Sequence, residues 1–212
     1  MGVSYNSAWS IKQRIMQVMK ERDDSKVLSG VIQLDDVYWG GERHGGKSGR
    51  GSPNKTPFVT AVSVNEEGHP IHMNMSVLKG FRSKEIERWV KRHLEPGCHV
   101  VSDNLACFFA VKTAGCQHTS IVTGGGPACV SLAEFTWVNT MIGNVKNALR
   151  GAYHAISHKH LPRHLASSAI ASTDVSSWIE CCPDFASLLS ERLRCLFDFL
   201  DWLRIMGNQE TV

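Results

Sequence analysis

No apolar run in this 212-residue chain approaches the roughly 18 residues that a membrane span needs, and Met1 to Ser10 lacks the charged start and apolar core of a secretory signal. A cytoplasmic protein with no membrane contact is the expectation. Cys-x-x-Cys pairs are missing as well, and seven cysteines is an odd number, so neither a disulfide framework nor a zinc ribbon is indicated. Cys98, Cys107 and Cys116 recur every nine residues, a spacing that suits neither a helix face nor a metal loop. They are expected as ordinary buried thiols. A large charge excess is absent too: +3 is too small to identify a nucleic-acid partner by itself. Gly124 to Gly126 lack the following Lys-Ser/Thr of a phosphate loop, which leaves a plain turn.

What is present is enough apolar residue, 42% of the chain, for one domain with a real core. The charge is informative in its distribution. Between Gly40 and Thr56 lie Arg43, Lys47, Arg50 and Lys55 against the single acid Glu42, in a run rich in Gly and Ser. That combination describes a flexible cationic loop.

Residues 8–22 place Ile11, Ile15, Val18 and Met19 on one face at helical spacing, so an amphipathic helix packed on the main domain by that face is expected. Strands are expected over Gly30 to Trp39, Phe58 to Asn65 and Pro70 to Val77, the last two joined by the turn Asn65 to Gly68. Ser83 reads as the N-cap of a helix that runs to about Leu94 and stops at Pro96-Gly97. A short strand from His99 to Ser102 ends on Asp103. A helix over about Leu105 to Ala114, a strand near Thr119 to Val122 and a helix from about Phe135 to Arg150, closed by Gly151, complete the order β-β-β-α-β-α-β-α. This order predicts an α/β fold, a mixed sheet with helices packed on it.

Within the first strand, Val31 to Gly41 sets the pair Asp35-Asp36 inside an apolar run. An ionised carboxylate in such a place pairs, neutralises or coordinates a metal; the alternative is a strand that ends at Leu34, with both acids solvated in a turn. Because first and fourth strands of this order can lie side by side, Asp35 and Asp103 can meet, with the helix that carries Asn139 crossing near them. Two aspartates in a partly buried site repel, and a bound divalent cation relieves that repulsion. Mg²⁺ suits hard oxygen ligands, and two such ions can flank an in-line phosphoryl transfer. Gly143 and Lys146 follow Asn139 on one helical stripe, where an amide oxygen can face metal, a glycine can let a backbone approach, and an ammonium can hold a phosphate.

The pieces Leu34 to Gly41, Gly45 to Gly51, Val101-Ser102-Asp103, and Phe135 to Thr140 through Lys146 to His154 together resemble the DDE-type insertion-sequence transposases of the IS-fifteen-ninety-five group. The resemblance covers roughly residues 8–166 and implies a ribonuclease-H-like mixed sheet. It further implies Asp35, Asp103 and Asn139 as ligands of Mg²⁺, with Mn²⁺ as a substitute, and Lys146 as a contact to the DNA backbone. Arg43, Lys47, Arg50, Lys55, Arg150 and His154 would be the DNA-facing residues. In such enzymes the metals activate water to nick the element's 3′ end, and the freed 3′-hydroxyl attacks target DNA. The implied setting is bacterial and nucleoid-associated, with a homo-oligomer on insertion-sequence ends and target.

Several neighbours compete for these roles. Side chains alternate along a strand, so Asp36 is expected to face away from the site that Asp35 faces. Glu134 lies before the helix start and is expected as a surface acid. His154, His158 and His160, with Lys159 and Arg163, lack a Cys partner and suit a cationic DNA-facing segment better than zinc. Tyr153 matches the motif beside His154.

Two departures bear on activity. Members of the group begin with a zinc ribbon and a helix-turn-helix region, and nothing of that kind precedes Trp9, so specific end binding is not expected of this chain. After Ala166 the family's aromatic, arginine-rich block is replaced by Ser-Ser-Ala-Ile-Ala-Ser-Thr. Codons can be chosen from Ser167 onward so that a one-base shift restores that block, so a frameshift near codons 166 and 167 is expected. Three segments result: a helical lead-in over 1–27, a catalytic domain over 28–166 and a non-native tail over 167–212. The rival readings are a non-catalytic DNA-binding remnant and a metal-dependent nuclease of the same fold.

Overall fold

A computed structural model describes residues 4–40, 55–122, 132–153 and 156–173. β1 (Val31–Trp39) enters from Gly30, whose φ of 79° is a left-handed conformation that glycine adopts without strain. It pairs antiparallel with β2 (Thr56–Val64), which pairs antiparallel with β3 (Pro70–Val77). The β2–β3 turn closes on Gly68, at φ 82°, and Asn65 Oδ1 accepts the His69 backbone N–H at 2.7 Å.

The chain then crosses over through α2 (Ser83–His93) to β4 (His99–Asp103), parallel to β1, and through a 3₁₀ turn and the short α3 (Ala110–Thr113) to β5 (Gln117–Ile121), parallel to β4. The sheet order is β3-β2-β1-β4-β5. This is the mixed, ribonuclease-H-like sheet expected of the strand order. Arg82, not Ser83, is the N-cap of α2, and no side chain caps it. The helix is held instead by Ile86, Trp89 and Val90, all buried.

Two apolar layers cover the sheet. Ile32, Leu34, Val59 and Ala61 pack with Ile86, Val90, Phe108 and Val111 from α2, the 3₁₀ turn and α3. On the opposite face Val37, Phe58, Val62 and Val101 pack with Val138, Val145 and Leu149 of α4 (Thr136–Ala152) and with Leu161, Leu165 and Ala169 of α5 (Leu161–Thr173). Cys98, Cys107 and Cys116 are buried and unoxidised, as their spacing suggested. α5 continues past Ala166 without a break and buries Ala169 and Ile170.

The first helix, α1 (Tyr5–Ser25), corrects the sequence reading. Ile11, Ile15 and Val18 are exposed and only Met19 of the expected stripe is half-buried. α1 is attached by the other side, through buried Ala8 and Met16 and through polar ties. Lys12 Nζ donates to the Tyr153 hydroxyl at 2.9 Å, and Arg163 of α5 donates to Gln17 and Gln13. Periodicity identifies the faces of a helix, but the partner decides which one packs, and here the partner presents an arginine. Among the described residues no helix is long and apolar enough to cross a membrane.

Candidate metal and phosphoryl-transfer site

Alternation along β1 sends Ile32 and Leu34 into the α2 layer and Gln33 and Val37 toward α4. Asp35 shares the parity of Gln33 and Val37. β4 runs parallel in register, Gln33 beside Val101 and Leu34 beside Ser102, which gives Asp103 at its end the same parity as Asp35. The strand therefore does not end at Leu34, and the acids are not in a turn. Leu105 N–H donates to Asp103 Oδ1 at 3.2 Å and so holds that carboxylate at the strand's end.

β1 extends beyond its last pair with β4 while β2 still flanks its other edge through Trp39. A notch is left past the end of β4. Asp35, Asp36 and Asp103, each half-buried, bring carboxylate oxygens within 4.8 Å of one another there. The alternation argument that turned Asp36 away thus fails at this rim, because a strand edge without a neighbour lets side chains of both parities reach the same opening. Burial pushes the Asp35 carboxyl up to about 7, and the charges of Asp36 and Asp103 push in the same direction. The Asp36 backbone N–H, 2.8 Å from Asp35 Oδ1, and the Lys146 ammonium pull the other way.

α4 brings the remaining candidates. Val138, Met141, Ile142, Val145 and Leu149 are its buried ridge, and Asn139, Gly143 and Lys146 form a half-buried stripe along the flank of that ridge. No protein atom lies within 4 Å of a Cβ built on Gly143, so this part of the helix faces open space and no protein backbone makes the close approach considered for it. Burial depresses the Lys146 ammonium, Arg150 adds to this, and Asp35 opposes it. Lys146 and Asp35 therefore sense each other across the notch.

Gln33 was not singled out by sequence reasoning. Its buried Oε1 accepts the backbone N–H groups of Trp137 at 3.1 Å and Val138 at 3.0 Å. These are first-turn donors that a helix leaves without internal partners, and no side chain of α4's own N-cap satisfies them. Asn139 follows directly. The available signal was a polar residue in an apolar strand, two before Asp35.

The other candidates scatter. Lys55 is half-buried ahead of β2 and Arg150 is exposed in the last turn of α4. Arg43, Lys47, Arg50, His154 and Gly124 to Gly126 lie outside the described residues. Glu134 is exposed in a 3₁₀ turn ahead of α4, away from the ligand role. His158 hydrogen-bonds Thr56 through Nδ1. Among the described residues no three-donor group that could hold a metal includes a histidine.

The donor set in the notch fits a hard divalent cation: carboxylate oxygens converge, no thiolate or imidazole joins them, and their repulsion is relieved by positive charge. Residues 27–169, two thirds of the chain, match the model of the ISXO2-like transposase domain. No curated protein matches. Solved structures similar to the chain include the Mos1 strand transfer complex (13% identity, 74% of this chain and 60% of that chain, TM-score 0.32). A pre-cleavage Mos1 transpososome is another (9% identity, 76% and 61%, TM-score 0.29). The chain spans about 60% of the length of these proteins.

Proposed function

The chain belongs to the ISXO2-like transposase family, and from that premise we propose that it performs divalent-metal-dependent phosphoryl transfer on DNA, cutting the 3′ ends of an insertion sequence and joining them to a target. The observation that carries this reading is the convergence of Asp35 and Asp103 from two parallel strands into one half-buried notch beneath α4.

Asp35, Asp103 and Asn139 would hold Mg²⁺ or Mn²⁺. When bound, such ions lower the pKa of attacking water and neutralise charge on the phosphoryl oxygens. The chain's own residues supply position and field. Lys146, two turns of helix beyond Asn139, is suited to hold a DNA phosphate, since it lies close enough to Asp35 for each charge to shift the other. The cationic loop with Arg43, Lys47, Arg50 and Lys55 leaves β1 directly after the acidic pair, and Arg150 and His154 extend the same positive surface from the end of α4. Phosphate contacts of this type set register on the duplex and make binding salt-dependent. A homo-oligomer on DNA, in a bacterial nucleoid, completes the proposal.

We place the catalytic domain at 28–166 after a lead-in over 1–27, and we read the tail over 167–212 as the product of a one-base deletion that impairs the copy. The coding DNA decides this point: codons after Ala166 that cannot yield the aromatic, arginine-rich block in the second frame rule it out.

The function is tested by the thermal unfolding midpoint of the purified chain with and without millimolar Mn²⁺. A ligand that binds only the native state raises that midpoint. A rise in the parent that vanishes in Asp103→Ala is the expected result, and strand-transfer products on labelled ends then separate a transposase from a nuclease that only cuts. No metal response in the parent sinks the reading.

A further inference from the structure

The site as read so far is short of negative charge. Asp35 and Asp103 contribute two charges, Asn139 none, and Lys146 adds a positive one near Asp35. One net negative charge is little for an oxygen site that must hold one divalent ion, and less for two, since such cations are commonly bound through several carboxylates.

The missing anion is at hand one residue along β1. We propose that Asp36 is a third carboxylate ligand of the metal site and supplies the charge that Asn139 does not; the proposal rests on the function given above.

Three observations support it. First, the edge of β1 facing β4 loses its partner after Leu34 and Ser102, so nothing on that side confines Asp36 to the opposite layer. Second, an Asp36 carboxylate oxygen lies within 4.8 Å of oxygens of both Asp35 and Asp103, a separation that one cation can bridge. Third, the Asp36 N–H donates to Asp35 Oδ1 at 2.8 Å, which locks the orientation of one carboxyl to the backbone of the other. A metal ligand tied in this way keeps its geometry before the cation arrives. The divided labour is then specific: Asn139 offers a neutral oxygen from the helix, and Asp36 offers from the strand the charge that an acidic residue at position 139 would otherwise provide.

The charge argument makes a double variant decisive. Mn²⁺ binding to the full chain is measured by the loss of the free-ion electron paramagnetic resonance signal, for the parent, Asp36→Asn, and Asp36→Asn combined with Asn139→Asp. Asp36→Asn is expected to weaken Mn²⁺ binding at least ~10-fold, the lower end of what loss of a residue supporting a metal ligand costs, with a metal-free unfolding midpoint no lower than the parent's. Asn139→Asp on that background is expected to restore most of the affinity. Asp36→Ser, neutral and smaller, is expected to show the same loss as Asp36→Asn and serves if the amide variant does not fold.

Parent-like binding by Asp36→Asn overturns the proposal and leaves the Asp35–Asp103 site standing. A loss that Asn139→Asp does not recover overturns the exchange of charge between positions 36 and 139. A parent that does not bind Mn²⁺ overturns this inference and the proposed function together.

Discussion

The two faces of β1 do different work. Ile32 and Leu34 are fully buried in an apolar layer with Ile86, Val90 and Phe108. Gln33 and Asp35, interleaved with them, turn to the layer under α4, where one side chain holds a helix terminus and the other sits among charges. The apolar face holds the fold together and the polar face gives up burial to keep charged groups close. A strand can do both because its side-chain period is two. The comparison predicts that substitutions on one face change stability and leave the metal site alone, whereas substitutions on the other face change metal binding, even where they raise stability.

The largest effect is expected on the apolar face. Leu34→Ala should destabilise the protein by about 3–5 kcal/mol, the transfer term plus the cavity left in a packed core. The rise of the midpoint with Mn²⁺ should survive in conditions where the variant is still folded. A Leu34→Ala protein that remains cooperative but has lost its metal response would break the separation of the faces.

Next in size, and opposite in sign, is Asp35→Asn. The folded-state pKa of Asp35 is raised to about 7 from an unfolded value of 3.8. The native state therefore binds more protons than the unfolded state between these values, and stability contributed by this group falls as pH rises through that window. At neutral pH without metal, the ionised carboxylate opposes folding. The amide removes that opposition and should stabilise the metal-free protein by about 3 kcal/mol, given 1.36 kcal/mol per pKa unit. It should also flatten the fall in stability from pH 4 to pH 7 and abolish the response to Mn²⁺. A drop in midpoint at pH 7 would contradict the reading of Asp35 as a strained, poised carboxylate.

Much of this arrangement was legible in the sequence. The pattern around Pro70 to Val77 has the strand's bounds as observed, and the strand order alone was enough to bring Asp35 near Asp103. What escaped notice depended on the absence or presence of a neighbour. Alternation placed Asp36 on the wrong side because the rule assumes a strand flanked at both edges. The stripe of Ile11, Ile15 and Val18 was assigned to the core because helical spacing cannot register that α5 presents Arg163 to Gln13 and Gln17 instead. α5 itself was overlooked: the composition after Ala166 looked foreign, yet Ala169 and Ile170 are buried. Gln33 was passed over because one polar residue in a strand looks like a solvent-facing position until a helix is found above it.

Gln33 gives the smallest and sharpest test of the comparison, because it belongs to the polar face without carrying charge. Its Oε1 accepts two first-turn N–H groups of α4, one residue before Asn139. Gln33→Met fills the space and leaves both donors without a partner, a loss of about 1–2 kcal/mol by the scale of helix caps and single hydrogen bonds. The drop in stability alone would follow from any buried hydrogen bond. The distinguishing readout is metal affinity. If Gln33 sets the position of Asn139 over the acids, Mn²⁺ binding should weaken in Gln33→Met and return in Gln33→Glu, whose oxygens can accept the same bonds at a helix terminus that favours negative charge. If Gln33→Met loses stability and binds Mn²⁺ as the parent does, then Val138, Val145 and Leu149 position α4 by packing alone, and the polar face of β1 contributes only its acids.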